Sequence, residues 1–356
     1  MRNKTCATAV NVRGAASLTI HKPMASQPIA TPTTPDVQAA LPATQVGLSR
    51  VGVTGVEKVI RVKSDGVENL FYAEFECFVD LNPKQAGVHM SRFEEIVGEA
   101  IDEVVLGEAF KAEVLAAHIA QRVRQRQGGE RAEVSITARY PETVQTPETG
   151  KSTQEIYVLY GTAVASERGT RTLTGVEAQG MTACPCAQEA VAALARDRLA
   201  ADGFGEAEID RILELVPVAT HNQRGIGTLY VGCPEGGPAW IEAPELLRIV
   251  ESSMSSEIYE LMKRTDERAV VVKAHEQPRF VEDCVREMLR QVVEGYTDLP
   301  DGTFVMARQE NLETIHRHNV VAERYGTLAD LRAEVLHGDP GTHHLTMREW
   351  LEAPGS

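Results

Sequence analysis

Apolar and polar residues alternate through Ala73-Glu74-Phe75-Glu76-Cys77-Phe78-Val79, with Ala73, Phe75, Cys77 and Val79 on one face and Glu74 and Glu76 on the other. That is the period of a half-buried strand, and residues 46–62 and 70–80 read as strands. The period then changes. Ile96, Ala100, Ile101, Val104 and Val105 fall at helical spacing, as do Val114, Ala117, His118, Ala120 and Val123 before Gly128-Gly129 breaks the run. His118 in that stripe is by itself a core or edge histidine. Strands follow at 132–140 and 153–166, separated by a Pro/Thr/Gly-rich loop.

The order strand, strand, helix, helix, strand, strand is then loosely repeated. Residues 171–183 and 225–232 read as strands, Leu246–Met262 and Phe280–Val293 as helices, 303–310 and 315–324 as strands, and Leu328–Leu336 as a closing helix. An added helical stretch, about Glu189–Leu215, interrupts the second unit. The pattern predicts an α+β fold with antiparallel sheets; an independent pair of α+β sandwiches is the alternative.

Composition narrows the class of protein. The 356 residues suffice for one large domain or two ordinary ones. Aromatics are only 5%, so the core is expected to rest on Val, Leu, Ile and Ala. A net charge of −15 argues against a general nucleic-acid or anionic-membrane binder. It leaves room for a small basic pocket that takes a phosphate ligand. No run of 18 apolar residues predicts a transmembrane helix. Six irregularly spaced cysteines make no disulfide framework and point to reduced thiols in a cytoplasm.

The ends of the chain read differently from its middle. Residues 1–44 are rich in Ala, Thr, Pro and Ser without periodicity and are expected to be disordered. Met24 offers a second start, so 1–23 read as an over-extended start, with a transit peptide as the alternative. Residues 341–356 read as a C-terminal tail, in which His343-His344 is an exposed coincidence.

Candidate chemistry centres on Met181-Thr182-Ala183-Cys184-Pro185-Cys186 and on Thr220-His221-Asn222-Gln223-Arg224-Gly225. Pro185 fixes its own φ and pushes Cys184 towards extended geometry, where side chains two apart share a face. A lone Cys-x-Cys is more often a pair of small buried residues. With a histidine motif in the same chain, thiolate and imidazole together suit zinc or ferrous iron.

These two motifs resemble those of the GTP cyclohydrolases of type IB and their archaeal methanopterin-pathway relatives. So do Val51-Gly52-Val53-Thr54-Gly55-Val56-Glu57-Lys58, His89-Met90-Ser91-Arg92-Phe93, Ser256-Glu257-Ile258-Tyr259, Pro278-Arg279-Phe280 and Glu313-Thr314-Ile315-His316-Arg317-His318-Asn319. The resemblance covers about residues 45 to 337, and its force lies in the order of the motifs. It implies two tandem tunnelling-fold (ββααββ) modules, 45–170 and 171–340, with helices outside and the metal motif in the second. It implies a homo-oligomer, dimer or tetramer, with sites at module or subunit interfaces. The implied substrate is GTP, opened at C8 with loss of formate. The implied product is 7,8-dihydroneopterin triphosphate or, in the archaeal branch, the 2′,3′-cyclic phosphate. A non-catalytic purine-binding protein is the rival.

The resemblance also implies roles. Water needs a metal with an open position to become a nucleophile near neutral pH, and one divalent ion per chain (Zn, Mn or Fe(II)) is expected on Cys184, His221 and Glu257. Cys186 is either a second thiolate ligand or a packing support. His316 and His318, two apart on a predicted strand, are candidates for proton transfer, and Glu189 for general acid–base work. Alone, Glu189 and Glu257 read as ordinary solvated carboxylates. The family's guanine-binding acid falls near Val272, a departure that leaves Glu276, with His275, as the candidate anchor. Arg92 and Arg224 are the candidate phosphate contacts.

Overall fold

A computed structural model describes residues 36–64, 67–104, 111–235, 241–339 and 344–353. The expectations for residues 1–35, the second start among them, lie outside these. The chain divides into a short unit, Met1–Val37, and a main unit, Gln38–Ser356.

In chain order the elements are β1 (Leu48–Ser64), β2 (Val67–Leu81), α1 (Met90–Val104), α2 (Ala112–Gln127), β3 (Ala132–Gln145), β4 (Ser152–Ser166) and β5 (Gly169–Ala183). Then come α3 (Pro185–Ala201), α4 (Glu206–Leu215), β6 (Asn222–Cys233), α5 (Ala243–Ser252), β7 (Ser256–Glu257), α6 (Arg264–Glu276) and α7 (Val281–Gly295). β8 (Phe304–Leu312), β9 (Val320–Thr327), α8 (Leu328–His337) and α9 (Met347–Glu352) complete the chain. No helix among the described residues is long and apolar enough to cross a membrane.

The described strands form one antiparallel sheet in the order β1-β2-β3-β4-β5-β6-β8-β9, with β7 added to β5. The α+β class with antiparallel pairing is therefore as the sequence predicts. Two independent sandwiches are not what forms, because β4 and β5 pair from Ser166↔Gly169 to Val158↔Glu177 and carry the sheet across the middle of the chain. One continuous core lies between the sheet and its helices, including Phe75, Ile136 and Leu229 from strands and Phe93, Leu115, Leu246 and Met288 from helices. α7 shows why such helices dock: Val281, Val285, Met288, Leu289 and Val292 recur at helical spacing and are all buried. α2 comes so close to β4 that a Cβ on Gly161 would sit 2.2 Å from the Ala112 carbonyl carbon. Only glycine fits there.

Four expectations need correction. The helix from Leu246 stops at Ser252, short of Met262. Ser253 Oγ donates to the Ile249 carbonyl at 2.7 Å and the chain turns into β7, since serine hydroxyls compete for helical backbone partners. α6 was not foreseen, because only Asp266, Val270 and Ala274 are buried and its apolar stripe is thin. β9 begins at Val320, so His316 and His318 lie in the β8–β9 loop and not on a strand. The fourth concerns the described parts of the two expected tails, which make ordered contacts. The Gln38 and Ala40 carbonyls accept hydrogen bonds from Gly87 and Ala86, and α9 docks on the sheet face opposite the main core.

That docking rests on Trp350, which is 4% exposed against Leu173 and Phe304 and donates from Nε1 to the Gly302 carbonyl at 3.0 Å. Trp350→Ala removes this plug. It is expected to destabilise the protein by about 3–5 kcal/mol, read as a lower denaturant midpoint. An unchanged midpoint would mean that α9 only rests on the surface.

Candidate active site

The end of the β5–β6 pair organises the site. Their register runs to Ala183↔Asn222, so the residues just beyond, Cys184 and His221, face each other, and the Cys184 N–H donates to the His221 carbonyl at 3.2 Å. Cys184 caps α3. Its φ/ψ of −79/117 are extended, Pro185 opens the helix, and its Sγ accepts from the Ala187 N–H at 3.5 Å. Thr220 Oγ1 donates to the Cys184 carbonyl at 2.8 Å. Extended geometry at Cys184 is thus as Pro185 predicts, but Cys186 falls inside α3 and is exposed, so the two thiols do not share a strand face.

His221 is tied from its other side. Its Nδ1 lies 3.1 Å from Gln223 Oε1 and 3.9 Å from Glu313 Oε2. An Nδ1–H donated to that amide oxygen leaves Nε2 with the lone pair. Gln223 is 5% exposed. Neither it nor Glu313 was among the sequence candidates. The signal for Glu313 was there, in Gln309, Asn311 and Glu313 recurring at strand period.

Glu257 lies apart. β7 pairs with β5 at Gly180↔Glu257, three residues or about 10 Å of strand from Ala183. Its carboxylate is held by the Lys273 ammonium at 2.5 Å. Among the described residues no group of three or more His, Cys, Asp or Glu is placed to hold a metal ion. Cys184 and His221 suit a metal by donor type, and the Cys184 N–H bond to the His221 carbonyl puts their backbones side by side. The third expected ligand is occupied by a cation.

α6 carries its C-terminus to this corner. Gln188 of α3 donates to the His275 carbonyl at 2.7 Å and to the Val218 carbonyl at 3.0 Å, and the Arg279 N–H donates to the Ala183 carbonyl at 3.0 Å. Glu276 is exposed there, while His275 Nδ1 sits 2.7 Å from the Val271 carbonyl of its own helix. Asp266 anchors the other end of α6. Burial works to raise its pKa, but N–H groups of Lys263, Thr149 and Glu148 and the Thr149 hydroxyl hold it well below the usual carboxylate range. The β8–β9 loop leaves beside His221, and Thr314 Oγ1 donates to the Asn222 carbonyl at 3.0 Å. In that loop His316 and His318 are exposed and stacked, with ring centroids 5.2 Å apart. Glu189 is exposed on α3.

Two predicted phosphate contacts do not join this group. Arg224 is two residues from Asn222 on β6 but on the opposite sheet face from Gln223, where its Nη1 donates to Gln179 Oε1 at 3.1 Å. Arg92 donates to the Arg126 carbonyl at the end of α2. That end adjoins Val79 and Ala132, which pair at the far edge of the sheet. Thr170, at the same edge, is thirteen residues from Ala183, or roughly 40 Å of strand.

A second acidic group lies between β4 and α5. The Tyr157 hydroxyl donates to Glu251 Oε1 at 2.7 Å. Burial first, then the carboxylates of Glu257, Glu142 and Glu155, raise Glu251 from about 4.5 to about 7, against the pull of Tyr157. The folded state then keeps a proton that the unfolded chain loses, so this group's contribution to stability is full below its unfolded pKa and is lost as pH rises through about 7. Glu251→Gln retains the acceptor for Tyr157 without the charge. Its melting temperature relative to wild type is expected to rise from about pH 5 to about pH 8. A constant difference would place the titration elsewhere.

Comparison with known proteins agrees with the motif order. Residues 34–322 match the family described as type I GTP cyclohydrolase folE2. The chain is 41% identical over 307 residues to GTP cyclohydrolase MptA of Methanothermobacter thermautotrophicus, covering 85% of this chain and 96% of that one. To GTP cyclohydrolase MptA of Methanocaldococcus jannaschii it is 39% identical over 307 residues, covering 85% and 97%. Among solved structures it is similar to uricase from Arthrobacter globiformis at 8% identity and a TM-score of 0.48, over 79% of this chain and 94% of that one. That likeness is too distant to bear on the chemistry.

Proposed function

The chain belongs to the type I GTP cyclohydrolase family of the folE2 kind, and we propose that it opens the imidazole ring of GTP at C8, releases formate and gives 7,8-dihydroneopterin triphosphate in pterin biosynthesis. The observation that carries this reading is the juxtaposition of Cys184 and His221 at the ends of two paired strands, in a chain similar to proteins named GTP cyclohydrolase along nearly their whole length. The archaeal relatives favour a second reading of the product, the 2′,3′-cyclic phosphate.

Cys184 and His221 would hold a divalent ion, zinc, manganese or iron(II), with Glu257 joining once Lys273 lets go. Bound there, the ion supplies a water of lowered pKa. The rest falls to side chains. Glu276, exposed where α6 meets α3, would accept the donors of the guanine edge, beside His275. His316 or His318 would carry protons from the exposed rim of the β8–β9 loop, with Glu189 as a further acid or base. Arg224 and Arg92 lie away from this corner within one chain, so they would meet the triphosphate of a neighbouring subunit's site. That agrees with a homo-oligomer, two tandem tunnelling-fold modules (45–170 and 171–340) and sites at their interfaces. The setting would be the cytoplasm.

Formate release from GTP by metal-loaded protein under reducing conditions tests this, with the product identified by mass before and after phosphatase. Cys184→Ala and His221→Ala are each expected to lose bound metal and at least about a hundredfold in turnover. A metal-free Cys184→Ala protein with full activity would sink the mechanism. A product mass fitting the cyclic phosphate would decide for the second reading.

A further inference from the structure

Three neighbouring strands carry a row of buried polar side chains behind His221. β6 and β8 pair as Arg224↔Leu312, Gly225↔Asn311 and Gly227↔Gln309, which brings Glu313, the next residue beyond β8, opposite Gln223. Thr182 faces Gln223 from β5. Asn311 accepts from Gln309 Nε2 at 3.1 Å. Gly225 leaves room for this row, since a Cβ there would sit 2.4 Å from Gln309 Nε2.

The unusual member is Glu313. Its side chain is 7% exposed, and its Oε2 is buried and makes no hydrogen bond among the described residues. An unpaired carboxylate oxygen is costly to bury. The cationic or donor group it faces is the His221 imidazole, with Nδ1 3.9 Å away. Gln223 Oε1 stands 3.1 Å from the same nitrogen. Two acceptors therefore converge on Nδ1, and none of this uses Nε2.

We propose that Gln223 and Glu313 are positioning residues for His221: together they keep the proton on Nδ1 and fix the ring, so that Nε2 presents its lone pair to a divalent metal. This rests on the metal-site reading above. Outer partners of this kind set both the tautomer and the basicity of a ligating imidazole. Gln223 makes the hydrogen bond. Glu313 adds a negative charge behind it and closes that side of the ring to other donors.

The experiment measures zinc affinity by competition with a chelator, on full-length protein, for wild type, Glu313→Ala, Glu313→Gln, Gln223→Ala and His221→Ala. Glu313→Ala and Gln223→Ala are expected to bind zinc about ten- to a hundredfold more weakly. Glu313→Gln, which keeps size and an acceptor oxygen, should lose less. In metal-free protein with ¹⁵N-labelled histidine, NMR should find the His221 proton on Nδ1 in wild type and shared between the nitrogens in Glu313→Ala and Gln223→Ala. A role in packing alone would lower the melting temperature without moving that tautomer. Wild-type zinc affinity and tautomer in both alanine variants would overturn the proposal. Wild-type affinity in His221→Ala would instead overturn the metal-site reading, and the tautomer measurement would still decide whether the two residues position the ring. Should the alanine variants not fold, Glu313→Gln decides by the same two readouts.

Discussion

Antiparallel pairing of β5 with β6 is the constraint from which the site follows. Twelve residue pairs, Thr172↔Cys233 to Ala183↔Asn222, fix the register. A slip by one residue would turn every side chain of a strand to the other face. It would exchange Gln223 with Arg224 and take His221 off Cys184. The thirty-five residues between Cys184 and Thr220 include α3 and α4, and α3 buries no residue. The helices therefore close a long loop, and α3 meets its base through the Cys184 cap and Gln188 without fixing the strand register there. That geometry belongs to the ladder, to the Cys184–His221 backbone bond and to the Thr220 hydroxyl on the Cys184 carbonyl.

Most of the fold was legible because its strands are half-buried. Alternation in β2 and helical spacing in α1 and α7 are strong where one face meets a core; α2 also forms where the pattern places it, but it buries Leu115, Ala116, Ile119, Ala120 and Val123, and Val114 of the expected stripe is exposed. Legibility falls where burial no longer sorts residues by type. α6 is held by one buried carboxylate, Asp266, which caps the helix and grips the β3–β4 turn. A hydropathy pattern cannot see such an anchor. β7 is two residues long and exists because β4 stops pairing with β5 at Val158↔Glu177, leaving the β5 edge open beyond. No local preference announces it.

The site was legible to a similar depth. Cys184 and His221, singled out by their motifs, are joined by a backbone hydrogen bond. Glu276 and the β8–β9 histidines come to the same corner through Gln188 and Thr314, contacts that depend on where α6 and the loop end. Arg92 and Arg224 could not be placed from sequence. Their distance from Cys184 is a matter of which sheet edge α2 runs to and which face β6 turns outwards. Glu313 stood in plain view as the acid that opens a recognised motif. Its partnership with His221 appears only once β6 and β8 are paired.

The charge around Glu257 completes the physical picture. Lys273 pairs with it, while burial first and then the carboxylates of Glu257, Glu142 and Glu155 raise Glu251 to about 7. A dication taking Glu257 would repel the Lys273 ammonium and be favoured by the neighbouring carboxylates. On the proposed reading, exchange of an ammonium for a divalent ion at Glu257 lowers the repulsion among four acids, and α6 is the element that must give. Its C-terminal end bears both Lys273 and the exposed Glu276. On that reading the release of one carboxylate and the placement of the other would be two consequences of a single helix position.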